Sequence, residues 1–125
     1  MKYSELTGRI IGCAMEVHKS LGNGFQEVIY QRALGIEFDF KKLLYVREEE
    51  IPVFYRDIPI GSRRVDFIVE NNILIELKAI SKLDDVHLAQ AINYMEAFKM
   101  EICLLINFGS RSMEFRRLEN KKLLR

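Results

Sequence analysis

Two short segments, Arg64-Val65-Asp66 and Glu76-Leu77-Lys78, set two carboxylates and an ammonium into stretches that otherwise read as core β-strand. The run Ile73-Leu74-Ile75-Glu76-Leu77-Lys78-Ala79-Ile80 reads as a strand with both faces covered, and burying an isolated charge there costs several kcal/mol or moves its pKa. A bound cation is the natural compensation. Asp66 and Glu76 offer the hard oxygen ligands that Mg²⁺ or Mn²⁺ takes, and Lys78, two residues from Glu76 and so on the same strand face, can steady an attacking water and the negative charge that develops. That is the equipment for hydrolysing a phosphodiester. The plainer alternative is a structural ion pair between carboxylate and lysine at a strand end, and strand position alone does not separate the two.

Register bears on the choice. A three-residue loop centred on Asn71, with an Asn in the left-handed conformation this residue type tolerates, pairs Val65 with Leu77, Phe67 with Ile75 and Val69 with Ile73. One hydrophobic face results, and Asp66 falls opposite Glu76 on the other. A two-residue Asn71-Asn72 turn would mix the faces. Two opposed carboxylates repel, which is relieved by raising a pKa or by binding a cation.

Around this hairpin, periodicity predicts the elements that must position it. Leu6, Ile10, Cys13, Ala14, Val17 and Leu21 recur at helical spacing, and Gly22-Asn23-Gly24 ends that helix. A second helix is expected from Phe25 to about Lys42 with Val28, Ile29, Ala33, Ile36 and Phe40 inward. Strands follow over 46–55, 60–70 and 73–80, the first two joined by a turn at Arg56-Asp57. Asp84-Asp85 starts a third helix reaching about Lys99 with Ala89, Ile92 and Met95 on one face, and strands over 102–107 and 113–118 close the sheet. The order α-α-β-β-β-α-β-β gives an α/β fold with a mixed sheet flanked by helices. On the third helix His87, Gln90 and Tyr94 form a polar stripe, which by itself reads as a wet face.

The order Asp66, Glu76-Leu77-Lys78, then a helix with Gln90 and Tyr94, resembles the PD-(D/E)XK nuclease superfamily, in the subgroup that adds a Gln-x-x-x-Tyr helix. The stretch Gly24-Phe25-Gln26-Glu27-Val28-Ile29-Tyr30 is similar to the signature of the small bacterial GxxExxY proteins. The resemblance runs from Leu6 through Phe108, with Val65 where the superfamily's name has proline. It implies a restriction-endonuclease-like core and a nuclease that needs Mg²⁺ or Mn²⁺. Asp66 and Glu76 then bind metal with the backbone carbonyl of Leu77, and Glu27 joins them directly or through water. Lys78 positions the water, while Gln90 and Tyr94 orient the substrate. His87 and Arg64 are further candidates for contacting phosphate. The alternatives are a surface histidine, and for Glu27 a helix N-terminal acid interacting with the macrodipole. Glu16, near His18 on the first helix, is a weaker metal candidate than a solvated surface residue.

Composition bounds these readings. A chain of 125 residues suits one domain over 1–125. No apolar run is long enough to span a bilayer and Met1-Lys2-Tyr3-Ser4-Glu5 is not a signal peptide, so the cytoplasm is the expected compartment. Cys13 and Cys103 lack metal-ligand spacing and are expected as reduced core residues. Pro52 and Pro59 are expected at edge positions or turns. A net charge of +1 leaves no global footprint for nucleic acid, although Arg63-Arg64 and the basic stretch from Arg111 to Arg125 can neutralise phosphates locally. The expected substrate is nucleic acid, with DNA favoured over RNA, and a homodimer or protein partner would extend the surface. The alternative from another class is a nucleic-acid-binding or partner-recruiting module that retains the nuclease fold without turnover.

Overall fold

Helix α1 (Ser4–Leu21) forms where the apolar spacing calls for it: Ile10, Cys13, Ala14 and Val17 are buried, and Gly22, at φ 74°, ends it. The computed structural model describes residues 2–123. Helix α2 (Glu27–Phe40) is followed by strands β1 (Tyr45–Tyr55), β2 (Ile58–Val69) and β3 (Ile73–Lys78), helix α3 (Asp85–Ala97), and strands β4 (Ile102–Asn107) and β5 (Glu114–Glu119). The five strands lie in chain order in one sheet; β3 and β4 are parallel and the other neighbours antiparallel. The expected element order and mixed sheet are both present.

Two cores sandwich the sheet. Helices α1 and α2 cover one face through Ile10, Val17, Tyr30, Leu34 and Phe38 against Phe67, Val69, Ile75, Leu77 and Ile106. Helix α3 covers the other through Ala91 and Met95 against Leu74, Cys103 and Leu105. Both thiols are free and buried, and burial pushes them up, so neither is a ready nucleophile. Pro52 sits in the outer strand β1 and Pro59 beside the turn, as their missing N–H requires.

The two shorter amphipathic faces differ from the sequence expectation. On α2 the buried side is Tyr30, Gln31, Leu34, Gly35 and Phe38, while Val28, Ile29, Ile36 and Phe40 are exposed; of the expected inward set only Ala33 packs against the core. Apolar residues ring this helix, so periodicity could not fix its rotation. Tyr30 fixes it: its ring stacks on Phe108 with centroids 4.7 Å apart, and its hydroxyl donates to Gly22 O at 2.5 Å and accepts from Phe25 N. On α3 the seam runs through Leu88, Ala91, Met95 and Phe98, leaving Ala89 and Ile92 exposed. Ala91, 1% exposed, is packed into the core between this helix and the sheet.

The β2–β3 hairpin has the expected register, Phe67 with Ile75 and Val69 with Ile73 across Glu70-Asn71-Asn72. Asn71 is left-handed at φ 59°, and Glu70 joins it at φ 52°. The pairing ends at Phe67–Ile75, however, and does not continue to Asp66–Glu76 or Val65–Leu77. Across the β1–β2 ladder Glu48 stands opposite Asp66 with φ 57°, an uncommon backbone for a non-glycine residue, and regular pairing lapses there before resuming at Glu49–Val65. The strand changes face at this kink. Val65 therefore packs in the α3 core with Leu74 and Met95, not beside Phe67 and Leu77 as the simple alternation predicted. Beyond it β1 and β2 run on as a two-stranded ribbon away from β3, with Phe54, Tyr55, Ile58 and Ile60 exposed near the Arg56-Asp57 turn.

Candidate active site

Where β2 parts from β3 a fork opens, and Asp66 closes it. Its Oδ2 accepts the backbone N–H of Leu77 at 2.8 Å, the bond a ladder partner would otherwise have made, and its Oδ1 accepts from Gln31 Nε2 of α2 at 2.8 Å. Leu77 buries its side chain with α1 and α2 while its N–H faces the fork. A strand residue directs its N–H and C=O to the same edge, so the Leu77 carbonyl faces the fork as well.

Glu76 and Lys78 alternate with Ile75 and Leu77 and so lie towards α3. Glu76 is 2% exposed, the most enclosed acid of the site. Its Oε2 accepts from Arg63 Nη2 at 3.2 Å, and Oε1 has no hydrogen-bond partner. Burial, and then the charge of Asp66, push the Glu76 carboxyl up to about 7, with Arg63, the Asp66 backbone N–H and Lys78 pulling the other way. Asp66 is also raised, by burial, against the Leu77 amide, Gln31, Arg63 and Lys78. Glu27, the first residue of α2, keeps an exposed side chain, yet partial desolvation and then Asp66 raise it too. The charge of Lys78 is felt by all three carboxylates, so one ammonium and three acids share this end of the sheet.

A cleft of about 240 Å³ lined by Glu27, Val28, Gln31, Glu48 and Asp66 opens on the α2 side. The donor set fits a small hard cation: two clustered carboxylates, one of them with an orphaned oxygen, and a strand carbonyl suit Mg²⁺, which is held by one or two carboxylates and keeps several waters. Among the described residues no three His, Cys, Asp or Glu side chains form a ready cage.

The α3 stripe divides. Tyr94 is half-buried with the Arg63 guanidinium 4.4 Å from its ring centroid, and so connects to Glu76 through Arg63. Gln90, one turn earlier, is exposed. His87 serves the helix end instead. Asp84 caps α3 by accepting from Val86 N, and the His87 ring Nδ1 accepts from Asp84 N in a capping box. Arg64 is exposed and stands 3.7 Å from Glu48, so it is Arg63 that turns to the acidic pair. Glu16 lines a separate recess with Arg9, Gly12, Cys13 and Lys41.

Residues that the sequence pattern does not single out do much of the positioning. Gln31, 6% exposed, orients Asp66. Asn107, fully buried, accepts from Ile80 N and Gly109 N and donates to Ile80 O and Glu114 Oε1, tying down the chain just past Lys78. The one available signal for Gln31 was its place four residues after Glu27, one turn along the same helix face. Asn107 gave none beyond a polar residue ending an apolar strand.

Among curated proteins none matches this chain. A solved structure titled "Crystal structure of SSO0001" is similar over 74% of this chain and 50% of that one, with a TM-score of 0.56 and 19% identity, a likeness of fold; the chain thus spans half of that protein's length. The profile of the PD-(D/E)XK nuclease superfamily matches residues 4–118, and with its sheet order and forked hairpin the chain belongs to that superfamily.

Proposed function

We propose that this protein is a Mg²⁺- or Mn²⁺-dependent nuclease that hydrolyses phosphodiester bonds of nucleic acid, with DNA as the favoured substrate, acting as one domain over residues 1–125 in the cytoplasm. The observation that carries the reading is Glu76, a buried carboxylate with one unpartnered oxygen, beside Asp66 at the mouth of an opened strand pair. The likeness of Gly24 through Tyr30 to the GxxExxY signature supports it.

Asp66, Glu76 and the Leu77 carbonyl would hold the metal, with Glu27 contributing through water. The ion would lower the pKa of a bound water and neutralise charge on the phosphate. Lys78, whose charge acts on all three acids, would hold the attacking water and stabilise the negative charge that develops. Tyr94 and Gln90 would orient the substrate. The scaffold does the positioning. Gln31 and the Leu77 amide fix one carboxylate, and Asn107 fixes the strand end that carries Lys78.

No helix is long and apolar enough to cross a membrane among the described residues. The net charge of +1 and the exposed apolar ribbon favour a partner or second copy that extends the binding surface.

The test is incubation with labelled single-stranded, duplex and branched DNA in Mg²⁺ and in Mn²⁺, with Lys78→Ala as the control. Metal-dependent cleavage that Lys78→Ala loses supports the nuclease. Equal residual cleavage by both proteins means a contaminant and favours the non-catalytic binding module.

A further inference from the structure

Arg63 satisfies Glu76 incompletely. A buried carboxylate held permanently by arginine normally takes two parallel N–H bonds, one to each oxygen. Here only Nη2 reaches Oε2, at 3.2 Å, leaving Glu76 Oε1 and the buried Arg63 Nε without partners. The Arg63 side chain is 38% exposed while that of Glu76 is 3% exposed, so the cation reaches in from solvent to an acid that cannot reach out. Its anchor is a surface rather than a bond, the Tyr94 ring 4.4 Å away. Its backbone belongs to the ribbon, where β2 has already parted from β3, so no β3 ladder bond fixes it on that side.

We propose that Arg63 holds the place of the metal at Glu76: it neutralises the buried carboxylate in the metal-free protein, yields when a divalent cation arrives, and pivots on the Tyr94 ring to meet the substrate phosphate. The inference rests on Glu76 being a metal ligand. A buried acid must be paired, which accounts for an arginine at this site. A guanidinium and a divalent ion on one carboxylate repel each other strongly in a poorly solvated place, which accounts for its departure. Lys78 lies on the Glu76 strand itself and keeps its position whichever cation is bound. The displaced guanidinium, planar and permanently charged, suits a phosphate diester, and the Tyr94 platform keeps it within reach of the cleft. Arg63 is thus a positioning residue of the metal-free state that becomes a substrate contact.

Calorimetric titration of metal-free protein with Mn²⁺ at neutral pH tests the exchange. Removing the competing cation in Arg63→Gln should tighten Mn²⁺ binding about tenfold, whereas Arg63→Lys, which keeps the charge, should bind close to wild type. A merely structural arginine would leave the affinity unchanged, and one that preorganises Glu76 for metal would make Arg63→Gln weaker; either result overturns the proposal. Should Arg63→Gln not fold, the wild-type protein decides. Its Arg63 side-chain Nε–H resonance, assigned by its loss in Arg63→Lys, should shift saturably with Mg²⁺, and a resonance indifferent to Mg²⁺ overturns the exchange. Failure of the underlying reading looks different. Asp66→Asn combined with Glu76→Gln would then bind Mn²⁺ as well as wild type, placing the site elsewhere.

Discussion

Asp66 takes the backbone N–H of Leu77 at 2.8 Å, so a side chain from β2 occupies the position that a ladder carbonyl would fill in an ordinary hairpin. The strands can separate at that level without leaving the Leu77 amide unpaired, and the gap so formed is where the acids collect. The same contact gives Asp66 a structural part beside the metal-binding part proposed for it, and the two can be separated by mutation. Asp66→Ala orphans the Leu77 N–H and the Gln31 amide and should cost about 2 to 3 kcal/mol of stability. Asp66→Asn keeps an acceptor for Leu77, and its new amide can donate to Gln31 Oε1, which now lacks a partner, so its stability should stay within about 1 kcal/mol of wild type. Both should lose Mn²⁺ binding. Chemical denaturation reads the stabilities and calorimetry the metal; an Asp66→Ala variant as stable as wild type would show that the bond to Leu77 holds nothing together.

Glu76 sets a pH dependence. Its carboxyl lies at about 7 in the folded protein against an ordinary 4.5, so between those values the folded state binds more protons than the unfolded one. Stability of the metal-free protein should therefore fall as pH rises from about 4.5 to 7, by up to about 3 kcal/mol, and change little above that. Asp66 and Glu27, also raised, act in the same direction. Glu76→Gln should flatten the curve and raise the melting temperature at pH 8 more than at pH 5, and saturating Mn²⁺ should flatten it in the wild type. A Glu76→Gln curve parallel to wild type between pH 5 and 8 would show that another group sets the dependence.

The hairpin register was legible because Phe67, Val69, Ile73 and Ile75 permit only one pairing with a shared apolar face, and because Asn71 supplies the turn. The strand β4, apolar from Ile102 to Ile106 and bounded by Glu101 and the Phe108-Gly109 corner, was legible to the residue. The rotation of α2 was not, since apolar residues ring that helix and the deciding contacts, Tyr30 with Phe108 and with Gly22, are long-range or buried in a loop. The choice of Arg63 over Arg64 was hidden for a related reason. Strict alternation from Asp66 assumes an unbroken strand, and the left-handed Glu48 opposite it breaks the phase with a residue type that gives no warning.

Gly109 guards the end of β3. A Cβ at this position would come within 2.2 Å of Ile80 N and 2.4 Å of the Ala79 carbonyl carbon, both backbone atoms that cannot swing aside. Gly109→Ala should therefore cost about 3 kcal/mol or more and push the segment after Lys78 outward. Cleavage measured well below the variant's melting temperature should fall as well, because Lys78 precedes that segment directly. A variant that melts like wild type would mean the corner relaxes freely, and the positioning assigned to it and to Asn107 would not hold.

The helix carrying Gln90 and Tyr94 offers a test of substrate orientation that stability cannot imitate. Gln90 is exposed, and substitutions at exposed positions usually change stability by about 0.5 kcal/mol or less. If the Gln90 amide orients the substrate, Gln90→Ala should lower cleavage at least about tenfold at substrate concentrations below saturation, where lost binding also shows, with an unchanged melting temperature. Tyr94 divides further. Tyr94→Phe keeps the ring under Arg63 and removes only the phenol, so it should retain wild-type Mn²⁺ affinity while losing whatever the hydroxyl donates to substrate. Tyr94→Leu removes the platform itself and should lower cleavage further, because the guanidinium then has no surface on which to approach the phosphate. Full activity of Gln90→Ala below saturation would return that side chain to a solvated helix face, and equal activity of the Tyr94→Phe and Tyr94→Leu variants would remove the platform from the mechanism.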